Sequence, residues 1–167
     1  MTIKIIIISI LFLKILYSSS FEQNGVKEGN SRVSIGIYGE KNYAKDKTGL
    51  DIKFDGNYGR FISNSSEVLL KIKDSTDLKE HLYKIDAGYS FYFFKHLLFA
   101  PYIGLELGIS GNTRLSSKIT NEEGVYIGVH NFLTENIALT PELGVEYSDF
   151  KTLSESYLNI YLTYFFD

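Results

Sequence analysis

The segment from Leu158 to Phe166 alternates strictly between two kinds of side chain. One of its faces is made of apolar residues only, namely Leu158, Ile160, Leu162, Tyr164 and Phe166. Because successive side chains of a β-strand point to opposite faces, this period of two predicts a strand with one apolar face. A closed sheet in a bacterial outer membrane carries strands of this kind, with lipid on one side of each.

Seven earlier segments share the alternation, and together with the last one they predict an all-β chain of eight strands. They cover residues 32–40, 50–61, 68–73, 81–94, 97–110, 124–132 and 136–147. Tight turns are expected at 63–66, 95–96 and 134–135, and longer polar loops at 41–49, 74–80, 111–123 and 148–155. Turns of alternating length predict an eight-stranded antiparallel up-and-down transmembrane β-barrel with short turns at one rim.

The first residues have the composition of a secretory signal peptide. Lys4 precedes an apolar run that ends at Leu13, and Ser18 and Ser20 form a small-x-small cleavage site. An N-terminal membrane anchor is the alternative, but the run is shorter than the roughly 20 apolar residues that a spanning helix needs. We therefore expect a signal peptide at 1–20, a polar lead at 21–31 and an outer-membrane barrel domain at 32–167.

Composition excludes several other classes of protein. The chain has 13 Tyr and 12 Phe but no Trp and no Cys, so strand formers are abundant and disulfides are excluded. Loss of residues 1–20 removes two lysines and no acid, which changes the net charge from −3 to −5 and gives no reason to expect a nucleic-acid partner. No apolar helix follows residue 20, so insertion into a membrane would require a closed barrel.

The polar face of the segments predicts a charged barrel interior. The apolar face carries no charged side chain, whereas the other face holds glycines and both signs of charge. An eight-stranded barrel is just wide enough inside for side chains to fill it, and glycines with paired charges suit that space. The predicted interior charges include Lys53, Lys71, Lys84, Asp86, Glu106, Glu142 and Glu146. A soluble lipocalin-like barrel, with the apolar face lining a ligand cavity, is the opposite arrangement.

The interior charges have a structural and a functional interpretation. Buried ions are tolerated when they are paired, so a salt-bridge network that plugs the barrel is the first expectation. A narrow proton or ion path along Glu106, Glu142 and Glu146 is the alternative. The sequence predicts no cofactor and no metal site, since none of the three histidines has the spacing of a metal ligand.

A lipid-modifying enzyme in the same fold is a further alternative. Its nucleophile would have to lie within hydrogen-bond reach of a base such as His130. Outer-membrane deacylase barrels place a serine two residues after that histidine, and this position holds Phe132. We therefore expect no catalytic residues.

An internal echo links two segments at a spacing of 40 residues. Pro101, Gly104 and Glu106 recur as Pro141, Gly144 and Glu146. Two hairpins of similar geometry would account for the echo, and so would an ancestral duplication. Both interpretations predict equivalent strand-turn-strand units.

Together these residues resemble the small outer-membrane barrels of the opacity and outer-membrane-protein-A transmembrane families. The resemblance rests on the strand from Pro101 to Gly108, the turn from Asn131 to Asn136 and the aromatic last strand. It implies a structural or surface-interaction (adhesin-like) role in the bacterial cell outer membrane. The implied partners are outer-membrane lipid, and an external ligand or host surface reached through loops 41–49 and 111–123.

The resemblance also implies a role for the last strand in assembly. In these families the barrel-assembly machinery recognises the terminal aromatic strand, which assigns that signal to Leu158, Ile160, Leu162, Tyr164 and Phe166. Asp167 follows Phe166, which departs from the usual terminal aromatic residue.

Overall fold

Eight antiparallel strands pair in chain order and close into a barrel, so the predicted fold class is confirmed. The computed structural model describes residues 26–42, 51–77, 80–93, 98–112, 119–149 and 152–167, and the predicted signal peptide lies outside them. The strands are β1 (Ser31–Asn42), β2 (Asp51–Ser63), β3 (Ser66–Asp77), β4 (Glu80–Tyr92), β5 (Phe99–Asn112), β6 (Thr120–Phe132), β7 (Ile137–Ser148) and β8 (Thr152–Phe166). Pairing of β1 with β8 closes the barrel. Within the described ranges, no helix is long and apolar enough to cross a membrane.

Several strands extend further than the alternation predicts, and the largest extensions lie at one end of the barrel. This end, where β1 leads to β2, β3 to β4, β5 to β6 and β7 to β8, is called the loop end, and the opposite end the turn end. β8 begins at Thr152 rather than at Leu158, so only 149–151 separate β7 from β8, and only 78–79 separate β3 from β4. The predicted long loops at 148–155 and 74–80 are therefore wrong. The predicted tight turn at 95–96 is wrong as well, because β4 ends at Tyr92 and β5 begins at Phe99. Backbone pairing can continue past the apolar band, where side chains on both faces are polar and alternation in hydropathy ends.

The outward face of the wall is apolar and the inward face is polar. Outward side chains such as Ile35, Leu105 and Leu107 are 59–67% exposed, while inward charged residues are almost fully buried. The expectation of an uncharged outward face is wrong at one position, because Arg60 points outward next to the turn end, opposite Ser31. A lipocalin-like barrel would have these two faces exchanged.

An apolar layer, which we call the floor, fills the turn end of the barrel. Its side chains are at most 7% exposed and comprise Val26, Phe61, Leu98, Ala100, Phe132, Ala138 and Phe165. The Phe165 ring lies 5.2 Å from that of Phe132 and 6.2 Å from that of Phe61.

The segment before β1 closes over this layer. Gly29 N donates to Phe61 O at 3.0 Å and Phe61 N donates to Asn30 O at 2.9 Å. Gly29 has a φ of 89°, a backbone conformation that favours glycine. The bend that results returns the chain across the mouth of the barrel and brings Val26 into the floor.

The 40-residue echo coincides with the register of the sheet. In the ladders on either side of β6, a residue of β5 and the residue 40 positions later in β7 face the same β6 residue. Gly104 and Gly144 therefore flank Tyr126, and Glu106 and Glu146 flank Gly124. The Tyr126 ring lies over Gly104, where a Cβ atom would collide with it. The echo thus places the same residue types at the same height on two sides of one strand.

Candidate functional site: the polar interior of the barrel

A ring of hydrogen bonds crosses the barrel just above the floor, and we call it the polar belt. It starts at Arg32, whose Nε donates to Glu67 Oε1 at 2.6 Å. The Tyr92 hydroxyl donates to the second oxygen of Glu67 at 2.9 Å and lies 2.9 Å from His130 Nε2. On the far side of the imidazole ring, His130 Nδ1 lies 2.7 Å from the Thr140 hydroxyl. The belt therefore connects β1, β3, β4, β6 and β7.

The remaining half of the belt returns to Arg32 through three hydroxyl groups. Thr140 Oγ1 lies 3.0 Å from Thr163 Oγ1, which lies 2.9 Å from Ser34 Oγ. Arg32 Nη1 donates to Ser34 Oγ at 2.7 Å and to Asn57 Oδ1 at 2.5 Å. The ring closes on the residue where it began, and its charged members form one buried ion pair.

The donors of the belt can be assigned in a single direction. Because the one hydrogen of the Tyr92 hydroxyl goes to Glu67, that oxygen accepts from His130 Nε2, and the network assigns the Nε2–H tautomer. Nδ1 then accepts from Thr140, whose oxygen accepts from Thr163. Thr163 accepts in turn from Ser34, and Arg32 Nη1 donates the last hydrogen to Ser34. A cation at one end and a carboxylate at the other satisfy every member, as buried polar networks require.

A second group of charges lies between the belt and the loop end, and we call it the upper cluster. Its members are Asp55, Lys71, Lys73, Lys84, Asp86, Glu106, Glu142 and Glu146, each at most 8% exposed. Several inward-facing positions next to these residues are glycines, which leave room for the long inward side chains.

Each lysine of the upper cluster pairs with glutamate. Lys71 Nζ lies 2.7 Å from Glu106 Oε2 and 2.8 Å from Glu142 Oε1. Lys73 Nζ lies 2.7 Å from Glu146 Oε1, and Lys84 Nζ pairs with the other oxygen of the same glutamate. Three ammonium groups are thus shared among three glutamates.

Tyrosines complete the coordination of these ions. The Tyr102 hydroxyl donates to Glu142 Oε2 at 2.8 Å, and the Tyr157 hydroxyl donates to Glu106 Oε1 at 3.2 Å. Lys71 Nζ lies 3.7 Å above the centre of the Tyr126 ring, a cation–π contact. The aromatic residues of the interior therefore act as hydrogen-bond donors and as faces for ammonium groups.

The structure brings together most of the charges that the sequence placed inside. Lys71, Asp86, Glu106, Glu142 and Glu146 are 1–2% exposed and Lys84 is 8% exposed, all inside the barrel. The side chain of Lys53 lies outside the described part of the chain. The assembly-signal residues Leu158, Ile160, Leu162, Tyr164 and Phe166 point outward and are 37–58% exposed.

Among the residues of the polar belt, the sequence singles out only His130, as a possible catalytic base. Arg32 and Glu67 stand at the edges of their predicted segments, where assignment to a face is least certain. The signal was nevertheless present, because each has the parity of the inward residues that follow it, such as Ser34 and Lys71. The hydroxyl residues Thr140 and Thr163 have the same inward parity.

Comparison with known proteins identifies the fold. No family profile and no curated protein matches the chain by sequence. The N-terminal β-barrel domain of Pseudomonas aeruginosa OprF is similar in structure, with a TM-score of 0.62 and 19% identity over 83% of this chain and 100% of that one. The outer membrane protein OprG of the same organism has a TM-score of 0.59 and 11% identity, over 87% and 99% of the two chains.

A third similar structure is Ail, the attachment invasion locus protein of Yersinia pestis. Its TM-score is 0.53 and its identity 17%, over 83% of this chain and 99% of Ail. At these identities the similarity concerns the fold alone. The fold is that of the small eight-stranded outer-membrane β-barrels.

Proposed function

We propose that this chain, which has the fold of small eight-stranded outer-membrane barrels, is a non-enzymatic protein of the bacterial outer membrane with a structural or surface-interaction role. The main support for the proposal is that the barrel wall is apolar on its outside and charged on its inside, the opposite of a soluble barrel. A soluble protein exposing this much contiguous apolar surface would aggregate or bind a partner. In a bilayer the same surface would be covered by the acyl chains of the lipids.

The height of the apolar wall supports the membrane assignment. On β5 the outward residues from Phe99 to Ile109 are all apolar. At about 3.4 Å per residue and a tilt of about 40°, that stretch spans about 26 Å, close to the apolar band of about 25 Å in outer-membrane barrels. Backbone groups along the wall are paired in a closed sheet, as a lipid environment requires.

The filled interior supports a plugged barrel rather than an ion-conducting pore. The floor blocks the turn end with apolar side chains, and the belt above it uses its polar groups on one another. An ion crossing the barrel would have to break both layers. We expect no stepwise conductance when the folded protein is added to a planar lipid bilayer, and stable unit conductance would contradict the plug.

The environment of His130 supports a non-enzymatic role. The imidazole lies 2.7 Å from a threonine hydroxyl, which is the distance of a base from a nucleophile, but both Thr140 and His130 are 0% exposed. A lipid substrate could reach them only if the belt opened. Lipid A from cells with and without the gene should have the same mass profile, and a lost acyl chain would favour the enzyme.

The surface-interaction part of the proposal concerns the loop end. The predicted binding loops at 41–49 and 111–123 are largely outside the described residues, although 41–42, 111–112 and 120–123 form parts of strands. Ail, which shares the fold, is named for attachment and invasion. Whole cells with and without the gene should differ in binding to host surfaces, and loop deletions that leave the barrel folded should abolish the difference.

The membrane assignment itself is tested by fractionation. The mature protein should appear in the outer-membrane fraction, require detergent for extraction and migrate differently on gels before and after heating. Outer-membrane barrels resist unfolding in unheated samples, which gives the two mobilities. A protein that stays monomeric in buffer without detergent would contradict the proposal.

A further inference from the structure

Three buried carboxylates converge on one side of the upper cluster. Oxygen atoms of Asp86, Glu106 and Glu146 all lie within 4.8 Å of one another. Their positions in the sheet explain the convergence, because Glu106 and Glu146 flank Gly124 in adjacent ladders and Asp86 is next to Gly108 of β5. A Cβ atom at Gly124 would lie 2.8 Å from Glu106 Oε1 and 3.2 Å from Glu146 Cγ. The glycines therefore create the space that the carboxylates occupy.

Asp86 differs from the other acids of the upper cluster in its lack of donors. The residue is 1% exposed, and neither of its carboxylate oxygens has a hydrogen-bond partner in the described part of the chain. The nearest ammonium group, Lys84 Nζ, lies 3.8 Å from Oδ1 and is engaged by Glu146. A buried carboxylate is normally satisfied by several donors or by a cation, so this one points to a missing partner.

The charge balance of the upper cluster supports the same conclusion. Its members comprise five acids, namely Asp55, Asp86, Glu106, Glu142 and Glu146, and three lysines, namely Lys71, Lys73 and Lys84. The lysines are used by the glutamates, and Asp55 accepts hydrogen bonds from Asn159 and Tyr161. Among the described side chains of the cluster two negative charges remain, and the Asp86 carboxylate has no hydrogen-bond donor. A divalent cation would balance the net charge of these eight residues.

We infer that Asp86, Glu106 and Glu146 bind a divalent cation, and that Ca²⁺ fits the site best. Ca²⁺ takes oxygen ligands at about 2.4 Å, so it can bridge oxygens up to about 4.8 Å apart. Mg²⁺ needs near-ideal octahedral geometry at about 2.0 to 2.1 Å and usually keeps several waters, so a group of protein carboxylates suits it less well than Ca²⁺. Asp86 supplies the free carboxylate, and the two glutamates share their charge between the cation and the lysines.

In the part of the chain that the structure describes, the loop end is the open route to the site. The polar belt and the floor lie between the carboxylates and the turn end, whereas the Lys84 side chain is 10% exposed at the loop end. A cation would therefore enter from the loop end and remain bound without crossing the barrel. Binding of this kind is compatible with the plugged interior.

Terbium luminescence offers a direct test, because Tb³⁺ replaces Ca²⁺ at oxygen sites and is excited through nearby tyrosine. The Tyr157 hydroxyl lies 3.2 Å from Glu106 Oε1, and the chain has no tryptophan to add a background. Folded full-length mature barrel in detergent should give saturable, tyrosine-excited emission at one site per chain. Ca²⁺ should displace Tb³⁺ at lower concentrations than Mg²⁺ does.

Asp86→Asn should weaken Tb³⁺ and Ca²⁺ binding by about tenfold or more, since affinity follows the number of ligand charges. Asp74→Asn, the same change at an exposed position, should change affinity less than about twofold. Glu106→Gln is the second variant if Asp86→Asn does not fold. Absence of saturable emission from the wild-type barrel would overturn the site, and so would binding that neither interior variant weakens, which would assign the ion to acids elsewhere.

Discussion

The polar belt and the upper cluster are both buried and charged, yet they balance their charges differently. In the belt one cation and one carboxylate pair at 2.6 Å, and neutral groups complete the ring. In the upper cluster five acids share three lysines, and Asp86 is left without a donor. The belt therefore has the properties of a structural element, while the upper cluster retains unused binding capacity. A layer whose polar groups all have partners is suited to sealing a barrel. A cluster that contains a carboxylate without donors is suited to binding a ligand.

Removing the carboxylate of the belt should give the largest effect. Glu67→Ala leaves Arg32 buried without its counter-ion, and we expect the free energy of unfolding in detergent to fall by about 3 to 5 kcal/mol. Urea titration of the refolded barrel measures this, with the exposed turn substitution Glu135→Ala as the control. The double variant Arg32→Met with Glu67→Leu should recover part of the loss. If Glu67→Ala costs no more than its control, the belt is not a structural element.

A charge on the wall that encloses both regions should have the next largest effect. Leu105→Lys puts an ammonium group on the lipid face, at a cost of about 2 to 4 kcal/mol near the bilayer midplane. Its neighbour Glu106→Gln keeps its volume and leaves Lys71 paired with Glu142, so it should impair assembly much less. Folding yield in lipid vesicles, read from heat-dependent gel migration, compares the two. Equal yields would mean that the faces are reversed.

Breaking the neutral half of the belt should cost less than breaking its ion pair. Thr140→Val preserves shape but removes the donor to His130 Nδ1 and the acceptor used by Thr163. We expect a loss of about 1 to 3 kcal/mol, since buried groups are left unsatisfied. Thr120→Val, at the partly exposed start of β6, is the control for urea unfolding. If Thr140→Val lowers the free energy of unfolding no more than Thr120→Val does, the hydroxyl groups of the belt do not stabilise one another.

The smallest effect should come from the upper cluster, and its sign should be opposite. In calcium-free buffer Asp86→Asn removes a buried charge that has no hydrogen-bond donor, so stability should stay unchanged or rise by about 1 kcal/mol. In millimolar Ca²⁺ the wild type should gain stability that the variant does not, because only the folded state contains the site. Thermal melting in both buffers measures the difference. A loss comparable to that of Glu67→Ala would make the two regions equivalent.

The sequence was sufficient to predict the strand count, the order and the inward face. A period of two places Lys71, Glu106 and Glu142 on one side of the sheet, and turn chemistry separates the strands. The pairing of these charges could not be predicted in the same way. Lys71 meets Glu142 across 71 residues of chain, and this contact depends on the stagger between strands when the sheet closes.

The positions of the strand ends also could not be predicted from the alternation of apolar and polar residues. Alternation in hydropathy stops where the apolar band stops, but hydrogen bonding between strands continues into water. Thr120 and Thr152 therefore begin their strands earlier than expected. The absence of donors around Asp86 likewise depends on how the interior side chains pack, which the alternation of residue types along a strand does not specify.

The apolar face of the barrel wall should meet lipid, while the charged face lines the interior. The chain has no cysteine, so single labels can be placed at Leu105, Ile127 and Leu143, which point outward. In lipid nanodiscs, spin labels at these positions should relax readily with oxygen, which dissolves in the bilayer, and poorly with a water-soluble nickel chelate. Preferential relaxation by the chelate at all three positions would place this face in water and contradict the account.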